Sequence, residues 1–236
     1  MYTPTSTAEN DQVVVLLLAD IAQPSRLWGW TRIVKGSQAL QDIPGLQFSK
    51  VLGSGFEGGF GLRPSPSRQG LFGLFESLSS AQEFVANSNV LKSYRERSDE
   101  FCWALLKTWS CRGNWDGQSL DICTAQPIKG PVAALTRASI KLAKAPAFWR
   151  HAPPSQIALA NAKGCQLAVG LGEAPFVRQA TFSIWDSVSD MNAYARTGAH
   201  LEAIQAAADN DYFSESMFAR FVPLQVEGQW QGKVYA

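Results

Sequence analysis

Phe72-Gly-Leu-Phe-Glu-Ser-Leu-Ser79 and Phe182-Ser-Ile-Trp-Asp-Ser-Val-Ser189 are variants of one stretch. Laid over one another without a gap, at an offset of 110, they match Phe72 with Phe182, Leu74 with Ile184 and Phe75 with Trp185. Glu76 then meets Asp186, and Ser77 and Ser79 meet Ser187 and Ser189. Phe84 meets Tyr194 at the same offset. Upstream, Gly45-Leu-Gln-Phe-Ser-Lys-Val-Leu-Gly53 lies over Gly164-Cys-Gln-Leu-Ala-Val-Gly-Leu-Gly172 at an offset of 119. The difference falls in 54–69, a Gly/Pro/Ser-rich stretch that reads as a loop. Similar elements recurring in the same order are the mark of an internal duplication.

Each copy reads β-α-β-β-α-β. In the first, Val13–Ile21 is a continuous apolar strand, Gln23–Leu40 is helical, and Leu46–Leu52 and Gly70–Phe75 are strands. Ser79 is placed to cap a helix carrying Phe84, Val85, Val90 and Leu91, and Phe101–Trp109 closes the copy. In the second, strands are expected at Val132–Ile140, Cys165–Leu171, Val177–Trp185 and Ser216–Leu224, with helices over Ala145–Ala162 and Ser189–Ala208. This order is the split βαβ, ferredoxin-like unit. The expected class is therefore α+β: two fused ferredoxin-like repeats whose antiparallel sheets pack face to face around a barrel-like interior, with helices outside. That interior suggests a cavity for a flat apolar ligand. The expected boundaries are a flexible tail over 1–12, a first repeat over 13–112, a linker over 113–130, a second repeat over 131–226 and a C-terminal tail over 227–236.

Composition narrows the function classes. Of 236 residues, 17% are charged against a usual figure of about 25%, and there are eight Trp and thirteen Phe. A net charge of +1 argues against a nucleic-acid partner. No apolar run approaches the ~18 residues of a membrane span, and the polar start does not read as a secretory signal. Cys102, Cys111, Cys123 and Cys165 show no CxxC spacing, so a reducing, cytoplasmic compartment is expected.

Two histidines, His151 and His200, narrow the chemistry. At the repeat offset His200 matches Val90, so an imidazole stands where the other copy is apolar. Thr197-Gly198 can break the helix just ahead of it. A single proximal imidazole suffices for haem iron, although a lone histidine is equally at home hydrogen-bonded in a core. His151 precedes Pro153-Pro154 and reads as a distal or a surface residue. Strand alternation puts Arg178 with Ala180 and Phe182, and Gln179 with Thr181 and Ser183. Either Arg178 or Gln179 could polarise bound oxygen. Arg137, Lys141 and Lys50 are candidates for anchoring a propionate, as is Arg178. Gly53-Ser-Gly-Phe-Glu-Gly-Gly-Phe60 lacks the ending of a phosphate loop and reads as a hairpin connection or a lid. No GxSxG elbow is present.

Several stretches, taken in order, resemble the spheroidene monooxygenase family. They are Phe48-Ser-Lys-Val-Leu-Gly-Ser-Gly55, the Glu57-Gly-Gly-Phe60 loop, Leu135-Thr-Arg-Ala138, Phe148-Trp-Arg150 and Val177-Arg-Gln-Ala-Thr-Phe-Ser183. Met191-Asn-Ala-Tyr-Ala195, Gly198-Ala-His-Leu-Glu-Ala203 and Phe213-Ser-Glu-Ser-Met-Phe-Ala-Arg-Phe221 complete the series. The resemblance implies a haem b enzyme of the dimeric α/β-barrel type that oxidises the end of a linear carotenoid to a keto group. It implies dioxygen and a ferredoxin-type donor as co-reactants, and homo-oligomer formation and peripheral membrane contact as open partners. Related haem barrels, such as aldoxime dehydratase-like enzymes, carry the proximal histidine on a helix packed against the sheet, the place of His200. The run Phe56-Glu-Gly-Gly-Phe-Gly-Leu-Arg-Pro64 departs from the family's loop, which bears on the substrate. Dehydration or peroxide chemistry on a small molecule, a non-catalytic haem or lipid carrier, and a cofactor-free monooxygenase are the alternatives on the same fold.

Overall fold

The computed structural model describes residues 11–59, 63–150, 159, 162–174 and 176–236, apart from the side chains at 199, 200, 203, 204 and 208. The first repeat runs β1 (Val13–Ile21), α1 (Arg26–Lys35), β2 (Leu46–Gly55), β3 (Pro64–Phe75), α2 (Leu78–Asn87), α3 (Asn89–Glu96) and β4 (Ser98–Gly113). The second runs β5 (Val132–Ile140), α4 (145–150), β6 (Cys165–Ala174), β7 (Arg178–Trp185), α5 (Val188–Ala195), α6 (Gly198–Asp209) and β8 (Phe213–Trp230), followed by β9 (Lys233–Tyr235).

The duplication is written into the register. Val13 pairs with Phe75 as Val132 pairs with Trp185, and bulges follow at matching places in β1–β4 and β5–β8. Gly45 and Gly164 take the same left-handed turn, at φ 73° and 76°, and accept from the amides of Glu76 and Asp186. A Cβ at either glycine would strike the residue three past the helix-capping serine, Ser80 or Asp190.

The sheet order β4-β1-β3-β2-β6-β7-β5-β8 closes through β4–β8 pairing, so the two repeats join edge to edge into one eight-stranded antiparallel barrel. At one seam Gly53 faces Gly172, and at the other Lys107 faces Val222. Each of these pairs joins a residue to its own counterpart. A pseudo-two-fold therefore crosses the barrel through both seams and exchanges its two ends.

The helices lie outside, as expected. Strands of the first repeat are buried on both faces, which is why Val13–Ile21 reads as an unbroken apolar run. Val14, Leu16 and Leu18 point into the barrel, while Val13, Val15, Leu17, Ala19 and Ile21 pack beneath the helices. The helix expected to start at Ser79 is instead capped by Ser77, which accepts from the Ser80 amide. A second serine, Ser88, restarts the chain as α3, because its hydroxyl accepts from the Leu91 amide. Thr197-Gly198 does separate α5 from α6.

The barrel interior differs from the expected cavity. It is filled by Leu16, Leu52, Phe72, Leu135, Val169, Phe182, Phe221 and their neighbours. Two tryptophans from segments expected to be linker and tail are buried with them. Trp115 packs on Phe72 and Phe48, with ring centroids 5.1 and 5.8 Å apart. Trp230 comes from the region expected as a C-terminal tail, where β8 instead runs on to Trp230 and turns into β9. Of the expected N-terminal tail, 1–10 lies outside the described residues. Asp11 is held by Lys107 and the Leu78 amide, and Gln12 by Gln47.

Candidate functional site

Three expected cations do meet. Lys50 on β2, Arg137 on β5 and Arg178 at the start of β7 surround Glu173 on β6, at 3.1, 3.1 and 3.7 Å. Arg137 is 1% exposed and also pairs with Glu215 of β8 and, at 3.6 Å, with Asp116. Lys50 bonds Asp116 as well. Burial disfavours the charge on Asp116 and Glu215, yet the adjoining cations and amides outweigh it. For Asp116 these are Lys50, Arg137 and Arg178, and for Glu215 the Asp116 and Gly117 amides and Arg137, so both carboxyls sit below their usual range. Three cations facing three carboxylates make a closed ionic cluster at one barrel end, beneath Trp115. It leaves Arg137 and Lys50 committed to protein carboxylates rather than to a ligand. Sequence reading named the cations and missed Asp116, Glu173 and Glu215. The inward parity of Glu173 with Leu171 and Val169 is the signal that could have found one of them.

The outward face of the second repeat is different in kind. Counterpart positions in the two repeats can be compared one by one from the strand registers. Val15 becomes Ala134, Leu17 becomes Thr136, Leu71 becomes Thr181, Val51 becomes Gly170 and Leu105 becomes Arg220. Each side chain of the first series is buried against helices. Ala134, Thr136, Thr181 and Arg220 are only half-buried. Replacing branched aliphatic side chains by Ala, Thr and Gly at four adjoining places withdraws several methyl and methylene groups from a layer that proteins otherwise pack densely. The apolar cluster of this face gathers Trp109, Val132, Leu159, Trp185 and Met191, with Ala134, Ala168, Val188 and Tyr194 packed against it. In the first repeat Leu91 and Tyr94 of α3, the counterpart of α6, are buried in the equivalent cluster.

His200 lies on α6, three residues into the helix. Its chain position is that of Val90, which packs against the outward cluster of the first repeat. The His200 side chain and all of His151 lie outside the described residues. Gln179 sits on the same outward face, half-buried, and donates to the Ala174 carbonyl at 3.3 Å. Arg178 turns the other way, toward the inward cluster. The expected pair thus divides: only Gln179 shares a face with the helix of His200. The hairpin connection expected at 53–60 is present, with Gly55 paired to Pro64, but the loop expected over 54–69 is shorter, because β3 already begins at Pro64; 60–62 lies outside the described residues.

Arg220 was not singled out in the sequence, although its apolar counterpart Leu105 marks it in the same way that Val90 marks His200. Its guanidinium lies 5.5 Å from the Trp109 ring centre. No helix is long and apolar enough to cross a membrane among the described residues.

No protein-family model matches the chain. Among solved structures it is similar to an aldoxime dehydratase, with a TM-score of 0.59 at 10% identity over 93% of this chain and 83% of that one. It is similar also to aldoxime dehydratase OxdRE in complex with butyraldoxime, with a TM-score of 0.58 at 11% identity over 92% and 80%. At such identities the likeness is one of fold. Among curated proteins it is 55% identical to a spheroidene monooxygenase of Rubrivivax gelatinosus, over 99% of this chain and 90% of that protein. It is 36% identical to the spheroidene monooxygenase of Rhodobacter capsulatus, over 87% of each. With so much of both sequences aligned at that identity, the chain belongs to the spheroidene monooxygenase family.

Proposed function

We propose that this chain is a haem-dependent monooxygenase that oxidises the end of an acyclic carotenoid, using dioxygen and electrons from a ferredoxin-type donor. The observation that carries the site is the set of small side chains on the outward face of the second repeat, at positions where the first repeat carries branched aliphatic ones. Such a face suits a flat ligand between sheet and helix, and the one histidine of α6 supplies the donor type that haem iron takes. The residue types suit haem b: His200 would hold the iron, and Ala134, Thr136 and Thr181 offer the small side chains of that face.

Haem, when bound, supplies the binding and reductive activation of dioxygen. The chain's own residues do the rest. Small side chains on β5 and β7 leave room for the ring and for an apolar chain end beside it. The Gln179 carboxamide, on this face and tethered to Ala174, can turn its second N–H toward an oxygen. The Arg137 cluster keeps the opposite face of β5 rigid, so the two faces are set at once by a strand of nine residues.

The substrate resides in lipid, and α1 offers a way to approach it. Leu27 is 79% exposed, Trp30 42% and Val34 84%, and they recur at helical spacing on one side of the helix. Arg26, Arg32 and Lys35 accompany them, and α1 holds no acidic residue. An apolar stripe with a tryptophan and flanking cations is the pattern of a helix lying in a lipid interface.

Reconstituted protein, an acyclic carotenoid in vesicles, a ferredoxin and its reductase test the reading. A keto product dependent on oxygen is expected, and its loss in His200→Ala. Turnover without bound haem, or undiminished in the variant, would overturn the haem assignment.

A further inference from the structure

We propose that Arg220, rimmed by Arg112 and Arg196, is a carboxylate-binding site on the outward face of the second repeat, and that it holds the propionates of an iron porphyrin. The inference rests on the haem reading above and adds the residues that fix the ligand's edge.

Arg220 lies on β8 among the outward-facing residues, one turn of the pleat from Phe218. Arg112, paired in register with Phe218, stacks over that ring at 5.7 Å. Arg196 ends α5, immediately before the α6 helix of His200. Among the described residues none of these three arginines has a carboxylate within ion-pair distance. Every other arginine half-buried or better on the strands is paired: Arg68 with Asp20, and Arg137 with Glu173 and Glu215. The chain over 151–161, outside the described residues except Leu159, contains no Asp or Glu that could do so.

A second observation points the same way. The Trp109 indole, 8% exposed and beneath the Arg220 guanidinium, has no acceptor for its N–H among the described residues. A buried N–H without an acceptor is costly, and an anion oxygen would satisfy it. Burial and the neighbouring Arg196 and Arg112 charges also lower the affinity of Arg220 for its proton, a cost that a bound anion removes. Three positive charges gathered without a counter-charge among the described residues suit a dianionic edge, and guanidinium forks match carboxylates in geometry. The counterpart of Arg220 in the first repeat is Leu105, so the charge appears only in the repeat whose outward face carries the smaller side chains.

Haemin and iron protoporphyrin dimethyl ester, titrated into the full-length protein and followed by the Soret band, test this. Haemin affinity is expected to fall about 10- to 100-fold in Arg220→Gln, the loss of one charged hydrogen-bond partner. Arg220→Lys should recover part of it, and the Arg112→Gln/Arg196→Gln pair should lose about 10-fold. Lys92→Gln, which removes one exposed charge on α3 of the first repeat, should bind as the unaltered chain does. The dimethyl ester should bind the unaltered chain weakly and be indifferent to Arg220→Gln. Circular dichroism melts establish that each variant is folded. Equal haemin affinity in folded Arg220→Gln, or equal affinity for the ester, would overturn the site while leaving the haem reading standing. No Soret band in the unaltered chain would overturn the haem reading itself, and the proposal with it.

Discussion

Trp115 and Trp230 fill opposite ends of one barrel, each with a guanidinium over its indole: Arg137 at 5.5 Å and Arg68 at 5.4 Å. They are counterparts, 115 residues apart, in Gly113-Asn-Trp-Asp-Gly117 and Gly228-Gln-Trp-Gln-Gly232. Glu215 accepts from the Gly117 amide, and Glu100 from those of Gln231 and Gly232, so each turn is fastened by the matching carboxylate. Each repeat thus closes one end of the barrel with its own last turn. Trp115→Ala and Trp230→Ala should each cost about 3–5 kcal/mol in denaturant unfolding. A loss below 1 kcal/mol at either would contradict the plugged barrel.

Gly113 and Gly228 adopt φ of 84° and 112°, and a Cβ at either would collide with a strand carbonyl of the other repeat, that of Ser216 or of Phe101. Gly113→Ala and Gly228→Ala should destabilise by about 3 kcal/mol or more, combining backbone strain with overpacking. The two should be similar, because the pseudo-two-fold makes the sites equivalent. Thermal unfolding monitored by tryptophan fluorescence checks both size and equality.

Asp116 and Glu215 titrate below their usual range in the folded chain, so the unfolded chain binds more protons as pH falls below about 5. Their contribution to stability is present above the ordinary carboxylate pKa and is lost as pH drops through the depressed values. Melting temperature should therefore fall between about pH 5 and 3, and less steeply in the Asp116→Asn/Glu215→Gln variant. Arg137→Ala should cost about 3–5 kcal/mol at neutral pH, because Glu173 and Glu215 are left partly buried without their main partner.

Leu27, Trp30 and Val34 should carry membrane contact. Flotation with vesicles of anionic lipid is expected to recover the protein, less so at high salt. Leu27→Ser/Val34→Ser should weaken recovery about tenfold, from the apolar area removed. Recovery unchanged in that variant would contradict the role of α1.

The fold was legible because the duplication was. Phe72–Ser79 over Phe182–Ser189 fixed which strands correspond, and β1 and β5 matched their expected bounds residue for residue. The last turns were missed because the repeats were ended at 112 and 226, one residue short of Gly113 and two short of Gly228. Alternation correctly split Arg178 from Gln179, but pattern alone does not tell which face is filled. Leu17 against Thr136, Leu71 against Thr181 and Leu105 against Arg220 hold that information, once the register is known. Partners of Arg137 were not legible, since Glu173, Glu215 and Asp116 reach it from three different elements across closed seams.

Restoring the bulky side chains of the first repeat on this face tests the central claim most directly. Thr136→Leu/Thr181→Leu restores the side chains of the first repeat at their counterpart positions and touches neither His200 nor Arg220. Haemin titration should then show the Soret band of the unaltered chain lost or weakened by at least about tenfold, with a melting temperature equal or higher. A folded double variant that binds haemin as tightly as the unaltered chain would place the cofactor elsewhere and contradict the account.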